Sequence, residues 1–512
     1  MPFQISGPLL TRNWILNLGG QVLPSVASLF AIPFLLRGMG GERFGILSIV
    51  WVLLGSSAVF DLGLGRATTK SIAESLGRSE AALVPELLWS ALAIQVGFGV
   101  IAGASAALAV PFLVARLLRV PPALSADTRL SFFLLAASLP LLLAASSLRG
   151  ALEAAQRFDL VNAVKIPLSV SVFVLPALGM LLGLRLPGLV GILTLAWLLA
   201  ALAYWLACRQ CFPALGRRFA VRREVVQPLL AYGGWVQISN LLTPLLCYLD
   251  RFFIGSLVSV AAVGYYTAPF DAIVRASILP VSLTSTLFPA FSAMNTPDSR
   301  RRIEDLCVRS LKSILLTLGP ALLLVGVFAH SILQLWLGGA FAARSTRVLQ
   351  ILAAGVAINS MAVLPFSLLQ GLGRADLTAK FHLLELPVCV GVLWLLVARL
   401  GIEGAALAWT ARVALDAVLL YSAVLWLKII SFARLAGNGI RRTGVVLLAF
   451  AALSFAPRWA GESMLVQILV VGLLLPAFGF IAWGYVLDER DRSLVGAVAG
   501  QAWTAFARVA AR

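Results

Sequence analysis

The feature that most constrains this chain is a run of about fourteen apolar stretches joined by short loops, the first at Trp14–Leu36 and the last at Met464–Leu487. Most are long enough to cross a bilayer, whose hydrocarbon layer is roughly 30 Å thick and takes about 20 helical residues at about 1.5 Å each. Lipid offers backbone N–H and C=O groups no partners, so stretches of this length are expected as α-helices. With 60% hydrophobic and 12% charged residues, a water-soluble globule is excluded. The expected fold class is therefore all-α, a polytopic membrane protein. The thirteenth stretch, Val445–Phe455, is short and closely followed by Pro457, which makes it the poorest span by length.

A net charge of +18 raises the question of nucleic acid, and the placement of that charge answers it. When the loops are assigned alternately to two sides, 27 of the 40 Lys and Arg fall on the side of the N-terminus and 10 on the other. That asymmetry is the positive-inside rule, and it predicts both termini in the cytoplasm. No nucleic-acid partner is expected. Arg217, Arg218, Arg222, Arg223 and Arg300–Arg302 read as topology signals that can also touch anionic headgroups. Arg12 precedes a long span without a small-residue cleavage site, so the first helix is expected to remain as an anchor.

The spans group into an N-terminal six-helix bundle over 1–208, a basic cytoplasmic linker over 209–228 and a second six-helix bundle over 229–428. Two additional helices follow over 429–487, then a cytoplasmic tail over 488–512 whose Trp503 and Phe506 are compatible with an interfacial helix. A weak duplication at a spacing near 220 residues supports the pairing of bundles. Gly150 and Pro167 recur as Gly371 and Pro387, and Phe44-Gly45 recurs as Val263-Gly264. Repeated halves are the pattern of alternating-access transporters.

The inventory for chemistry is thin. There is no Walker A loop, no H-E-x-x-H, no G-x-S-x-G and no loop large enough to house a catalytic domain. No catalytic residue, cofactor or metal is expected, and the chain is read as not an enzyme. Cys208 and Cys211 have C-x-x-C spacing, but a structural zinc site needs four ligands and no matching pair exists. His330 and His382 stand alone in the sequence.

Ionisable residues inside spans are more informative, because each costs roughly 2.5–3.5 kcal/mol at the bilayer centre and needs protein or water around it. Asp61, Glu86 and Glu385 fall near inner span ends, where water and headgroups solvate them. Asp271 with Arg275, and Arg412 with Asp416, have i, i+4 spacing near mid-membrane, which puts each pair on one helix face. Two readings stand side by side. The pairs are neutral patches that allow insertion, or Arg275 and Arg412 line a watery cavity and attract an anion, with the aspartates as counter-charges or ion-coupling sites. Asp250 and Arg251 are adjacent and are expected to serve different faces. Asn17, Gln21, Asn240 and Asn359 interrupt spans one, seven and ten as candidate cavity residues, and Pro24, Pro244 and Pro280 loosen their helices.

Phe44-Gly45-Ile46-Leu47-Ser48 through Phe60-Asp61-Leu62-Gly63-Leu64-Gly65-Arg66-Ala67-Thr68-Thr69-Lys70 resembles the second helix and following loop of polysaccharide exporters. Asp250-Arg251-Phe252-Phe253-Ile254-Gly255, with Val263-Gly264-Tyr265-Tyr266-Thr267-Ala268-Pro269, does so too. The family is the Wzx-like lipid-linked oligosaccharide flippases of the multidrug/oligosaccharidyl-lipid/polysaccharide exporter superfamily. The resemblance implies a MATE-like, pseudo-symmetric pair of bundles in a bacterial inner membrane. It also implies a flippase moving a polyprenyl-diphosphate-linked oligosaccharide of a lipopolysaccharide or exopolysaccharide pathway by ion-coupled alternating access. The diphosphate would be held by Arg275, Arg412, Arg251, Arg149 and Lys165 through charge-assisted hydrogen bonds. Asp61, Asp250, Asp271 and Asp416 would be ion-coupling or counter-charge groups. Membrane lipids, a polysaccharide polymerase and export machinery are the other partners this implies. The alternatives are a cation-coupled multidrug exporter of the same superfamily and a non-transporting scaffold of an export complex.

Overall fold

The computed structural model describes residues 7–55, 61–117, 120–216, 220–295, 299–435, 437–455, 464–489 and 491–492. Among these residues there is no strand. Pro457, Arg217, Arg218, Phe60, Trp503 and Phe506 lie outside the described residues. Nine helices among the described residues are long and apolar enough to cross a membrane, and Gly472–Val486 is a shorter apolar helix.

The chain divides into two compact units, one containing residues 13–240 and the other 241–512. The first unit is built from α1 (Gly7–Gly55), the amphipathic α2 (Leu64–Gly77), α3 (Val84–Phe112), α4 (Pro122–Ala154), α5 (Phe158–Leu181) and α6 (Leu186–Cys211). It also takes the first half of α7 (Arg223–Leu257). The helix α1 breaks at Gly40 (φ 78°), so it supplies two apolar segments rather than one. The core of the unit gathers Val50, Phe132, Leu135, Leu139 and Leu193 from α1, α4 and α6.

Asp61-Leu62-Gly63 forms the turn between α1 and α2. Gly63 is held at φ 68°, a left-handed conformation open to glycine, and a Cβ there would lie 2.3 Å from the Gly233 carbonyl oxygen. The backbone of α7 therefore packs directly against this turn, and no other side chain fits between them.

The second unit contains the rest of α7, α8 (Val260–Val274), α9 (Ile278–Ala293), α10 (Arg300–Val327), the short α11 (Ala329–Leu337), α12 (Gly339–Gly371) and α13 (Ala375–Trp426). The chain then adds α14 (Asn438–Phe455) and α15 (Met464–Ile481). α13 breaks at Gly401 (φ 59°), again giving two apolar segments. α8 and α9 are separated by a 3-10 turn at Arg275–Ser277, just before Pro280. Proline lacks the N–H that would bond back to residue 276, and its ring crowds that carbonyl, so the α-ladder is interrupted there.

The core of the second unit packs Tyr266 and Phe270 of α8 against Trp409 of α13, with Phe270 edge-on to Trp409 at 5.3 Å. Membrane helices gain little from apolar burial alone and rely on close approach of small residues. Gly355 of α12 shows this, because a Cβ there would meet Thr410 Oγ1 and the Trp409 ring at 2.6 Å. α14 and α15 pack on α10 through Phe450, Phe478, Leu324 and Val327. The chain just beyond α15 is clasped to α10: Lys312, only 6% exposed, pairs with Asp491 and lies 3.7 Å from Asp488.

The two units share one local device. α4 ends with hydrogen bonds from Gln156 N–H to Glu153 O and from Arg157 N–H to Leu152 O. α12 ends with the same pattern, from Gly373 to Gln370 and from Arg374 to Leu369. In each case the arginine then opens the next helix and pairs with an aspartate two residues on, Arg157–Asp159 at 3.0 Å and Arg374–Asp376 at 3.1 Å.

Candidate functional site

In the first unit the helices enclose a cavity of about 390 Å³ lined by Asp61, Arg149, Lys165, Trp51, Trp197 and Tyr204 among others. Asp61 is fixed from two sides: the Gly65 N–H donates to its Oδ2 at 3.1 Å, and the buried Gln95 donates from Nε2 to its Oδ1. Arg149 pairs with Glu153 one turn further along α4, with Nε to Oε1 at 3.4 Å. Lys165 of α5 lines the same cavity and has no hydrogen bond or ion pair among the described residues. Trp51 donates its indole N–H to the Val172 carbonyl at 3.1 Å, and Tyr204 donates to the Val161 carbonyl at 3.4 Å, so both rings are held as walls. The buried indole nitrogen of Trp197 has no hydrogen-bond partner among the described residues.

Of the expected site residues, Asp61, Arg149 and Lys165 therefore meet in one cavity. Asn17 accepts from Asn162 Nδ2 at 3.0 Å and so ties α1 to α5. Gln21 lies half-buried on α1, and Asn240 lies half-buried on α7. The aromatic walls carried no sequence signal, because tryptophan and tyrosine within apolar spans look the same whether they face lipid or a cavity.

In the second unit the expected residues are paired differently from the sequence expectation. Asp271 does not bond to Arg275; its Oδ1 meets Arg251 Nη2 at 2.6 Å, bridging α7 and α8. Arg251 also lies over the Phe270 ring at 5.4 Å. Asp250 accepts from the Arg251 backbone N–H at 2.7 Å and from the Tyr266 hydroxyl. Arg275, in the 3-10 turn, is exposed and has no ion pair among the described residues. Asn359 is half-buried on α12.

Arg412 and Asp416 share a face of α13, as their spacing requires, but Arg412 pairs with Glu385 at 3.5 Å rather than with Asp416. Glu385, read from the sequence as solvated near a span end, is 0% exposed. His382, read as standing alone, has a ring nitrogen within 4.8 Å of carboxylate oxygens of both Glu385 and Asp416. Its ring stacks on Phe366 at 5.8 Å. The reason is packing across the break at Gly401, which sets Glu385 on the first segment of α13 against Arg412 on the second.

Comparison with known proteins agrees with this architecture. A family model described as "Polysaccharide biosynthesis protein" matches residues 10–295. The chain is 28% identical over 411 residues to a protein of Shigella flexneri described as "Putative O-antigen transporter", covering 80% of this chain and 96% of that one. It is 25% identical over 191 residues to the "Probable low-salt glycan biosynthesis flippase Agl15" of Haloferax volcanii, covering 37% of this chain and 40% of that one. Among solved structures, an outward-facing multidrug resistance MATE transporter of the MOP superfamily superposes with a TM-score of 0.70 at 16% identity. A MOP superfamily transporter from Pyrococcus furiosus, titled for the reverse polarity of its binding pocket, gives 0.70 at 15% identity. Each comparison covers 83% of this chain and 97% of the other. These likenesses establish a MATE-type helical fold. The family match covers more than half of the sequence, and the chain belongs to the polysaccharide biosynthesis protein family.

Proposed function

We propose that the chain is a flippase for a polyprenyl-diphosphate-linked oligosaccharide in a bacterial inner membrane, with both termini cytoplasmic. The observation that carries the reading is the first-unit cavity, where an unpaired Lys165 and a half-buried Arg149 share one space with Trp51, Trp197 and Tyr204. A diphosphate is held by cationic donors through charge-assisted hydrogen bonds. A sugar offers C–H faces and hydroxyls, which suit aromatic walls with polar edges. The two relatives named for O-antigen transport and glycan flipping support the same substrate class.

In this reading the bundles 1–208 and 229–428, joined by 209–228, are the moving bodies of alternating access. Arg275 is a second free cation for the headgroup, whereas Arg251 and Arg412 are engaged by carboxylates and act chiefly as counter-charges. Asp61, Asp250, Asp271 and Asp416 are the coupling or balancing acids. The chain performs no covalent step, and polymerase and export machinery take the product onward. A multidrug exporter for cations would be opposed by a cavity whose free charge is Lys165.

The test is a deletion strain, extracted for polyprenyl-diphosphate oligosaccharides and examined for surface glycan. The expected result is precursor accumulating as surface glycan falls, with rescue by the intact gene. Lys165→Glu is expected to rescue at least tenfold less well at equal membrane abundance, while Lys165→Arg restores most export. Normal glycan in the deletion strain, or full rescue by Lys165→Glu, overturns the reading.

A further inference from the structure

The second unit carries a helical hairpin that, in the topology proposed above, stands on the outer side. The short α11 turns at Gly338, held at φ 87°, into α12. His330 Nδ1 lies 3.3 Å from Thr346 Oγ1, so α11 runs antiparallel along the first turns of α12. Ala329 and Leu333 of α11 are buried, whereas Ile332, Leu335 and Trp336 are exposed. Their spacing of three and four residues puts the exposed three on one face.

Two arginines stand on the other arm. Arg344 lays its guanidinium over the Tyr265 ring of α8 at 4.9 Å, and that ring is braced by Phe341 at 4.8 Å. Ser345 Oγ donates to the Tyr265 carbonyl at 2.8 Å, which fixes α8 against α12 at this level. Arg344 is exposed and has no ion pair among the described residues. Arg347, three residues on and so on the same face, is 77% exposed and pairs loosely with Glu403 at 3.7 Å. An exposed pair of that length holds little.

Position makes these cations unusual. Lys and Arg are depleted on the outer side, 10 of 40 in this chain, so an outer arginine calls for another reason. Depth supplies one. From Arg347 to Gly371, the inner end of α12, the helix is about 36 Å long at about 1.5 Å per residue, against roughly 30 Å of hydrocarbon. Arg347 therefore stands at the level of the outer headgroups, with Arg344 one turn beyond it. On the same hairpin Leu335 and Trp336 are 66% and 55% exposed, and tryptophan is at home in that zone. Cations beside exposed apolar side chains suit an anion that carries a tail, whereas a free anion has no use for Leu335 and Trp336.

We propose that Arg344 and Arg347, with Leu335 and Trp336 beside them, form an outer-leaflet site for a lipid phosphate. Tyr265 holds the Arg344 guanidinium flat, which leaves its N–H edge for paired, charge-assisted hydrogen bonds to phosphate oxygens. Arg347 joins by exchanging Glu403 for the phosphate. The site deepens the flippase reading, on which it rests for its side of the membrane and its use in transport. A translocated diphosphate emerges at this level, and the two arginines hold it as it leaves. An anionic phospholipid offers the same chemistry.

The experiment counts lipids on the purified full-length protein by native mass spectrometry, titrating phosphatidylglycerol or sugar-free undecaprenyl diphosphate. Arg344→Gln/Arg347→Gln is expected to bind one lipid fewer, its affinity lowered at least tenfold. Arg344→Lys keeps the charge but loses the flat fork, and a several-fold loss is expected. Arg344→Gln alone should lose more than Arg185→Gln, which removes the same charge from the first unit and is expected to bind as the wild type does. With no lipid added, all four variants should melt close to the wild type, because these arginines are exposed. A tenfold preference for the diphosphate identifies the departing cargo as the ligand, and equal or tighter binding of phosphatidylglycerol identifies a resident phospholipid. Either supports the site. Unchanged binding in the double variant, or an equal loss in Arg185→Gln and Arg344→Gln, overturns it. No sugar and no export enter this measurement, so its failure leaves the deletion-strain test standing. Normal glycan in that strain would in turn leave a phospholipid site standing.

Discussion

The two units place ionisable side chains inside apolar helices in opposite ways. In the first, Asp61, Arg149 and Lys165 border a cavity of about 390 Å³, room for on the order of a dozen waters or more. Lys165 has no hydrogen bond or ion pair there among the described residues. In the second, Glu385, Arg412 and Asp416 are almost fully buried, and Arg412 pairs with Glu385 at 3.5 Å. The same residue types thus do different work according to the water around them. A cavity leaves room for a ligand beside its charges, whereas a tight cluster leaves its charges only one another.

The largest expected effect tests the dryness of the second unit. Arg412→Ala leaves Glu385 and Asp416 facing each other uncompensated, and removing one partner of a buried pair costs about 3–5 kcal/mol. The variant is expected to unfold well below the wild type in detergent, and adding Glu385→Gln should recover part of the loss. Wild-type stability in Arg412→Ala would mean that water reaches the cluster, and the contrast between the units would fail.

The next effect tests which unit holds the anion. Arg149→Ala is expected to lower glycan export several-fold at equal abundance, with a smaller loss for the exposed Arg275→Ala. If Arg275→Ala proves the more damaging in surface-glycan assays, headgroup binding moves to the second unit. The smallest effect sharpens the boundary between site and scaffold. Asn17→Ala removes the hydrogen bond to Asn162, worth about 0.6 kcal/mol in a membrane interior, so a slight drop in melting temperature with little change in export is expected.

Much of the helical plan was legible because apolar runs of membrane length have few other solutions. The shared face of Arg412 and Asp416 was legible too, being a matter of helical period alone. Pairings between helices were not. Asp271 sits four residues before Arg275, yet it bonds to Arg251 of α7, and no spacing within one helix encodes that neighbour. Glu385 was misplaced for a different reason. Hydropathy put it near a span end, where solvent would reach it, but Arg412 from beyond the break at Gly401 covers it, and no local pattern encodes that contact. His382 followed Glu385 out of view, although their three-residue spacing puts them on one face. The repeat was also only half-visible. Gly150 and Gly371 are 221 residues apart, whereas the matching helix ends, Arg157–Asp159 and Arg374–Asp376, are 217 apart, so the glycines stand about one turn out of register with them.

The clasp between Lys312 and Asp491 adds a consequence in time. The partners are 179 residues apart in the chain. At about 5–20 residues per second, a ribosome needs roughly 10–35 s to make the second after the first. For that interval α10 stands in or beside the membrane with its lysine lacking the aspartate that will cover it. The pair with Asp491 therefore closes only after both of the last two helices have been made.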